Sequence, residues 1–191
     1  KRKIQIVRNF GITGLYSSIA ILSAMRFRDK TGKGQHLDIS LMDSQVSWLS
    51  YMAQNYLISG LVPKRIGNDH PSIVPYQTVK AKDGLMVLAI ANDRQFNDFC
   101  SFANISQIAK KPQFKTNSSR VKNRVQLDKI INKTFKTKTI NQWVRGLTNV
   151  NVPCGPINDI KQVFNDEQVK SRKMMVSMKH RKSPTKKIEL I

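Results

Sequence analysis

The chain has 191 residues, 40% of them hydrophobic, which is enough to bury a core in one or two domains. Its formal net charge is +21, but the basic residues are scattered through every segment without a helix-turn-helix, zinc-finger or RNA-binding motif, which favours a lysine-rich surface over a nucleic-acid groove. The best apolar run, residues 19–25, stops at Arg26, well short of the ~20 residues that a membrane span needs, so we expect no contact with a membrane.

The first predicted element is a helix over residues 13–28. Thr13 is a plausible N-cap, and apolar residues keep the spacing of one helix face: Leu15, Ile19, Leu22 and Met25. Residues 31–34 then turn the chain. Polar and apolar residues alternate over residues 36–41, which predicts a strand with one buried face.

Asp43 and Ser44 predict the start of a second helix, which runs to Gly60. Trp48 and Met52 widen its apolar stripe. Since an exposed tryptophan is costly in a monomer, we expect residues 44–66 to form an extended connector that packs on another domain or subunit. In the isolated chain Trp48 and Tyr56 should then be poorly covered. The same spacing is equally compatible with a single core helix.

Residues 67–76 predict a loop of fixed shape that leads into a β-hairpin. Glycine, asparagine and aspartate at its start tolerate unusual backbone angles, and two prolines restrict the chain on either side of residues 73–74. The dipeptide Asp83-Gly84 favours a tight antiparallel turn. We therefore expect the two strands of a hairpin within residues 76–91.

Four helical segments are predicted after the hairpin. Asp93 caps the first, whose buried face holds Phe96, Phe99 and Cys100, and a short second helix covers residues 105–114. The third runs from Asn117 or Ser118 to Phe135, and its apolar face holds Val121, Val125, Leu127, Ile130 and Ile131. The fourth begins at Thr139 and has Trp143 and Leu147 on its buried face. Residues 152–156 are interpreted as a stiff connection. Short helical turns over residues 159–164 and 166–169 and two paired strands, residues 173–178 and 187–191, complete the prediction.

The two cysteines, Cys100 and Cys154, lie in unrelated contexts and suggest neither a disulfide framework nor metal-ligand spacing. No base or thiolate stabiliser adjoins Cys154 in sequence, so we interpret it as a small buried residue rather than a nucleophile. Both thiols are expected to be reduced, in a cytoplasmic protein without a metal.

Several motifs of this sequence resemble those of the family III CoA-transferases, which include formyl-CoA, carnitine and succinyl-CoA:dicarboxylate CoA-transferases. The central one is GNDHPSIVPYQTVKAKDGLMVLAIANDRQF, residues 67–96. The others occur in the family's order: TGLY at residues 13–16, TGKGQ at 31–35 with Asp38, RVKNR at 120–124, Trp143, and VPCGPIN at 152–158. The resemblance is strongest to the succinate/glutarate branch.

The resemblance implies an α/β fold made of the end of a Rossmann-like large domain, a helical linker, and a small α+β domain with an antiparallel hairpin. It places part of the large domain at residues 1–43, the linker at 44–75, the small domain at 76–165, and the return to the large domain at 166–191. It also implies a partial chain of a protein that forms an interlocked homodimer, or one that requires a complementing N-terminal fragment.

The chemistry that the resemblance implies uses an aspartate as nucleophile on an acyl-CoA thioester, with a carboxylic acid as the second substrate and no bound cofactor. The position three residues before Thr13-Gly14, where that aspartate is expected, holds Phe10. Either the first dozen residues do not follow the family's register or the nucleophile is lost, and no catalytic residue is identified. The family's glycine-rich active-site loop corresponds to Gly67, Asn68, Asp69 and His70, where side-chain or backbone donors could bind a developing oxyanion.

Three functions remain open from the sequence. The first is a family III CoA-transferase, present as a partial chain that is inactive alone. The second is a degenerate remnant or pseudoenzyme that serves as an assembly surface. The third is a basic nucleic-acid-binding module, which a salt-dependent shift of DNA would support and the absence of a shift would remove.

Overall fold

The computed structural model describes the backbone of residues 2–191 and the side chains of residues 10–191. The chain divides into two compact units, Lys1–Arg65 and Ile66–Ile191. Helices and small antiparallel sheets make up the described part of the chain. This is the α/β class that the sequence predicts.

The first unit contains three helices: α1 over Arg2–Thr31, α2 over Leu41–Ser47 and α3 over Ser50–Ser59. Helix α1 ends at Thr31, and the next residue, Gly32, has a φ of +69°, a left-handed conformation that glycine adopts without strain. The prediction that Thr13 caps this helix is wrong, because the helix already includes Thr13. Apolar periodicity marks a helix but does not fix its start.

The predicted strand over residues 36–41 is also wrong. Residues 33–40 form no helix or strand, and Leu41 begins α2, with the Ser40 hydroxyl accepting from the Asp43 N–H at 3.0 Å. A strand needs a hydrogen-bonded neighbour, and the described residues of the first unit contain no strand that could pair with this segment.

The predicted second helix consists of two helices, because Trp48 and Leu49 separate α2 from α3 and Ser50 takes a φ of +50°. The expected exposure of its aromatic residues is confirmed. Trp48 is 56% exposed and Tyr56 47% exposed in this chain. Residues 61–66 continue without regular structure.

Helix α1 bears on the expectation of no membrane contact. Its segment Phe10–Thr31 is long and apolar enough to cross a membrane by length and composition, and its most apolar part is not buried. The expectation that no segment reaches this length is therefore wrong. Core helices of soluble proteins and signal sequences have the same length and composition, so this helix does not by itself indicate a membrane span.

The second unit is built on a three-stranded antiparallel sheet with the order β1-β2-β3, formed by Tyr76–Lys80, Leu85–Ala89 and Cys154–Pro156. The hairpin is confirmed, with Thr78 opposite Val87. The Ala81 N–H donates to the Gly84 carbonyl at 2.8 Å. This bond leaves Lys82 and Asp83 between the paired residues, so the turn is centred one position before the predicted Asp83-Gly84.

Five helices and one 3-10 helix cover this sheet: α4 (Asp93–Phe102), α5 (Ser106–Ala109), the 3-10 helix (Pro112–Phe114), α6 (Asn117–Lys122), α7 (Arg124–Phe135) and α8 (Ile140–Asn149). Stacked aromatic rings form the centre of the core. The rings of Phe135 and Trp143 lie 4.4 Å apart, and Phe99 stacks on Phe135 at 5.8 Å. The Trp143 indole N–H donates to the Phe135 carbonyl at 2.9 Å, which satisfies its polar atom.

The boundaries of these helices differ from the prediction in several places, and the short helix predicted over residues 105–114 is instead α5 followed by the 3-10 helix. Asn92, not Asp93, caps α4. Residues 117–135 contain two helices, because Asn123 interrupts them and its side chain donates to the Ser119 carbonyl. After this break Val125 is 72% exposed and not on the buried stripe. The residues predicted as a stiff connection, 152–156, include the third strand of the sheet.

The end of the chain has the predicted elements, although the first of its two strands begins at Val176 rather than at residue 173. Helices α9 (Ile160–Asn165) and α10 (Glu167–Ser171) begin at Asp159 and Asp166, whose carboxylates accept backbone N–H groups. A separate two-stranded sheet pairs β4 (Val176–Lys179) with β5 (Lys187–Leu190).

Candidate functional site

The predicted active-site loop, residues 67–72, is held in one shape by its own backbone. Gly67 has a φ of +71°, which favours glycine. The Asp69 N–H donates to the Ile66 carbonyl at 3.4 Å, and the His70 N–H donates to the Tyr76 carbonyl at 2.9 Å. The second of these bonds ties the loop to the start of β1.

The His70 side chain is part of this closure. Its ring stacks on Tyr76 with the centroids 5.4 Å apart. Its Nδ1 accepts the Ser72 N–H at 3.2 Å, so the neutral imidazole carries its proton on Nε2. Nearby, the Asn68 amide donates to the Thr78 hydroxyl at 3.4 Å. The loop's backbone donors at Asp69, His70 and Ser72 are thus used within the second unit.

The segment after the loop is fixed by Asn117 at the start of α6. Its side-chain amide donates to the Ser72 carbonyl at 2.8 Å, and its Oδ1 accepts the Val74 N–H at 3.0 Å. Val74 is fully buried, and its peptide bond to Pro75 is cis. One asparagine therefore satisfies two backbone groups of the loop segment.

A fully buried arginine, Arg120 of α6, extends this support. Its Nε donates to the Val74 carbonyl at 2.6 Å and its Nη1 to the Phe114 carbonyl at 3.1 Å. Its Nη2 lies 2.8 Å from Asp93 Oδ1, and the guanidinium stacks over the Phe96 ring at 4.4 Å. These contacts explain how a charged group is accommodated in the core.

A second arginine, Arg124, contacts the loop directly from the first turn of α7. Its Nη2 donates to the His70 carbonyl and, at 3.3 Å, to the Pro71 carbonyl. Its Nη1 lies 3.9 Å from Asp69 Oδ2, and only 20% of its side chain is exposed. The guanidinium therefore contacts three consecutive loop residues.

Two carboxylates, Asp69 and Asp128, interact with the charge of this guanidinium. Burial raises the pKa of the Asp128 carboxyl above its ordinary value, while hydrogen bonding from Gln77 and the charge of Arg124 act in the opposite direction. The charge of Asp69 adds to the increase. Gln77 is itself buried on β1. The polar cluster beneath the loop thus connects the loop, β1 and α7.

The other candidate nucleophiles do not fit a catalytic role. Burial raises the pKa of the Cys100 thiol to about 12, although the charge of Arg120 lowers it. Burial also raises the pKa of the half-buried Cys154. Neither thiol is activated as a thiolate. Among the described residues, no cluster of three or more His, Cys, Asp or Glu side chains could hold a metal.

The structure brings four predicted site residues together, since Gly67, Asn68, Asp69 and His70 form one loop in the second unit. Phe10 lies within α1 of the first unit, where its side chain is 61% exposed. Five supporting residues were not predicted as functional from the sequence: Gln77, Asn117, Arg120, Arg124 and Asp128. Two motifs contained some of them, since residues 67–96 include Gln77 and RVKNR includes both arginines.

Comparison with known proteins shows which protein family this chain is related to. Its sequence matches the profile of CoA-transferase family III over residues 2–191. It is 40% identical over 168 residues to a succinyl-CoA:glutarate CoA-transferase of Homo sapiens, an alignment that covers 88% of this chain and 38% of that protein. It is 41% identical over 167 residues to a succinate–glutarate CoA-transferase of Agrobacterium fabrum, with 87% and 42% covered.

Solved structures agree with the sequence matches. A CaiB/BaiF family protein from Brucella suis has a TM-score of 0.73 at 44% identity, with 86% of this chain and 44% of that one covered. A Mycobacterium tuberculosis protein has a TM-score of 0.80 at 17% identity, with 94% and 46% covered, which shows a shared fold alone. The chain spans about two fifths of the length of the curated relatives that it matches.

Proposed function

The chain belongs to CoA-transferase family III, and from this premise we propose that it forms part of an enzyme that transfers CoA between an acyl-CoA and a carboxylic acid. The observation that carries the proposal is the family match over residues 2–191. The ordered loop of residues 67–72, in the position that the resemblance assigns to the active site, supports it.

The proposed reaction proceeds through a carboxylate nucleophile. Its oxygen attacks the thioester carbonyl, the C–S bond breaks, and CoA leaves as a thiolate with a mixed anhydride behind it. The thiolate then attacks the enzyme's acyl carbon in the anhydride, which releases the first carboxylate and leaves an enzyme–CoA thioester. An incoming carboxylate repeats these two steps in reverse. Each intermediate stays activated, which suits a carboxylate nucleophile.

Phe10 cannot perform this attack, because its side chain has no nucleophilic atom. We therefore propose that the chain's own contribution is the loop rather than the nucleophile. The imidazole of His70, with its proton on Nε2, and the amide of Asn68 are the proposed donors to the developing oxyanion. One well-placed donor of this kind contributes about 3 to 4 kcal/mol to the barrier reduction, far less than a complete enzyme achieves.

The proposed substrates follow the names of the relatives. Two relatives at 40% and 41% identity are named for transfer between succinyl-CoA or succinate and glutarate. We propose succinyl-CoA as the donor and a dicarboxylate such as glutarate as the acceptor, with no bound cofactor. The net charge of +21 suits anionic substrates of this kind.

The proposed assembly is cytoplasmic and larger than this chain. The apolar residues Leu15, Ile19 and Leu22 of α1 are each more than 60% exposed, and such a surface favours burial against further protein. We propose that α1 belongs to a Rossmann-like large domain. The covering protein is a second copy in an interlocked homodimer or a complementing N-terminal fragment.

A second candidate function is a pseudoenzyme that retains the family fold as an assembly surface. The observation that favours it is Phe10 itself. Under this proposal the fold and the loop persist, and the chain shows no transfer in any assembly.

A chimera separates the two candidates. Residues 10–191 replace the matching region of the Agrobacterium fabrum relative, and glutaryl-CoA formation from succinyl-CoA and glutarate is followed by mass spectrometry. We expect no turnover with Phe10, turnover with Phe10→Asp, and none with Phe10→Asn, the matched control that lacks a nucleophilic carboxylate. Equal turnover with Phe10 and Phe10→Asp contradicts the assignment of this position. A Phe10→Asp chimera that folds but stays inactive supports the pseudoenzyme.

A further inference from the structure

Arg124 of α7 holds the candidate loop mainly through the loop's main chain. Its guanidinium contacts the His70 carbonyl, the Pro71 carbonyl and the Asp69 carboxylate. All three partners are consecutive residues of the loop, and two of them are backbone atoms. The contacts therefore fix the path of the loop's main chain rather than one side chain.

We propose that Arg124 is a positioning residue that sets the orientation of the His70 imidazole in the active-site loop. This inference rests on the proposed function, in which His70 serves the oxyanion. Arg124 itself contacts no reacting atom under this proposal. Arg124 acts through its hydrogen bonds to the backbone carbonyls of His70 and Pro71.

The geometry requires an arginine. A guanidinium presents five N–H donors in a rigid planar fork, so that one side chain can bind two carbonyls through Nη2 while Nη1 faces a carboxylate. A lysine ammonium is a compact charge on a flexible stem and cannot reproduce this fork. With 20% of the side chain exposed, the interaction is screened less by water than a surface ion pair.

The charges around Arg124 make its removal consequential for the loop. Asp69 approaches it from the loop, and Asp128 lies one turn further along α7, where the charge of Arg124 lowers the pKa of the Asp128 carboxyl. Without the guanidinium, the charges of Asp69 and Asp128 repel each other without its compensating positive charge. Their repulsion then favours movement of the loop away from α7.

The orientation of His70 depends on this path. Its ring stacks on Tyr76, its N–H donates to the Tyr76 carbonyl, and its Nδ1 accepts the Ser72 N–H. These three contacts persist together only while the carbonyls of His70 and Pro71 stay in place. The aromatic core around Phe135 and Trp143 makes none of these contacts, so the loop and the core can be observed separately.

The test is NMR of the 191-residue chain labelled at histidine. The chain has three histidines, and His70→Gln assigns the His70 Cε1–H signal. In Arg124→Gln we expect this signal to move toward its unstacked position, as the ring-current effect of Tyr76 is lost. Arg124→Lys should shift it part of the way. Arg94→Gln is the matched control, because Arg94 is 90% exposed and contacts only Asp98 of its own helix.

Trp143 fluorescence, in a Trp48→Phe background, is recorded on the same samples. We expect it to be unchanged in all three variants. The proposal is overturned if the His70 signal does not move in Arg124→Gln. It is also overturned if the Trp143 signal is lost in Arg124→Gln and in Arg124→Lys, because Arg124 would then support the core as a whole.

The functional consequence is tested in the Phe10→Asp chimera. Arg124→Lys is expected to lower kcat by about tenfold or more with little change in KM, since misplaced catalytic groups cost rate rather than affinity. An unchanged kcat overturns the positioning role. An inactive chimera together with a shifted His70 signal refutes the proposed function but leaves the effect of Arg124 on the loop intact, so the two failures are distinguishable.

Discussion

Replacing Arg120 by methionine removes the guanidinium but keeps an apolar stem of similar length in the core. In the folded protein this guanidinium is fully buried, donates to the carbonyls of Val74 and Phe114, and pairs with Asp93 at 2.8 Å. Breaking a buried, hydrogen-bonded charge pair costs about 3 to 5 kcal/mol, and each carbonyl left without a donor accounts for about 1 to 3 kcal/mol of such a loss.

Asp93 is half exposed, so its carboxylate regains water and adds little to this cost. We therefore expect Arg120→Met to lower the free energy of unfolding of the second unit by about 2 to 6 kcal/mol, the sum for the two carbonyls left without a donor. Asp93→Asn keeps both hydrogen bonds from Arg120 to the backbone carbonyls, and we expect it to lower the free energy of unfolding by only about 1 kcal/mol. The matched control is Arg94→Met, for which about 0.5 kcal/mol or less is expected because its pair is exposed.

Urea unfolding followed by Trp143 fluorescence, with Trp48 replaced by Phe, measures all three variants. The reasoning is refuted if Arg120→Met unfolds within about 1 kcal/mol of the parent, the usual size of a surface effect. If Arg120→Met does not fold, Arg120→Lys decides the question. Lysine keeps the positive charge but not the planar set of N–H donors of the guanidinium. We therefore expect Arg120→Lys to lose clearly more free energy of unfolding than Asp93→Asn does.

Three further predictions concern packing and titration. Gly146→Ala should destabilise the second unit although alanine favours helices, because the new Cβ would lie 1.9 Å from the Phe102 ring; thermal unfolding measures it, and a gain in stability would contradict the packing described. Because the folded-state pKa of Asp128 is raised, its ionisation opposes folding above the ordinary value of 3.8. Asp128→Asn should therefore gain stability relative to the parent as pH rises through that folded-state pKa, in pH-dependent urea unfolding, and a relative loss would show that the pairing with Arg124 dominates. Cys100, with a pKa of about 12, should resist a thiol reagent at neutral pH until the unit unfolds, and rapid labelling of the native protein would contradict its burial.

The hairpin was predictable because its signals are local. Alternating residues on either side of Asp83-Gly84 carry both the strands and the connection between them. The third strand was not predictable, because residues 152–156 contain two prolines and a glycine, a composition typical of a loop. Only the neighbouring β2 gives this segment its pairing, with Val87 opposite Gly155.

The false strand over residues 36–41 has the opposite cause. Its alternation is as regular as that of β1, but strand formation depends on a partner that the sequence pattern does not contain. The breaks at Trp48 and Asn123 show a similar limit. Helical periodicity continues through both positions, and local hydrogen bonding decides where a helix ends.

The candidate loop was predictable from its residue types, whereas its supports were not. Arginine is among the residues least often buried, so Arg120 and Arg124 did not suggest themselves as internal groups. Their partners are mostly backbone carbonyls up to 54 residues away. Such contacts leave no periodic pattern in the sequence.

The most direct measurement is the detection of an enzyme–CoA adduct in the chimera of residues 10–191. The Phe10→Asp chimera is mixed with succinyl-CoA and quenched, and the position of the adduct is mapped by mass spectrometry of its peptides. We expect CoA on residue 10 in the aspartate variant and no adduct in the Phe10 and Phe10→Asn chimeras. CoA attached at another residue, or equally in all three chimeras, would contradict the proposed role of position 10 in CoA transfer.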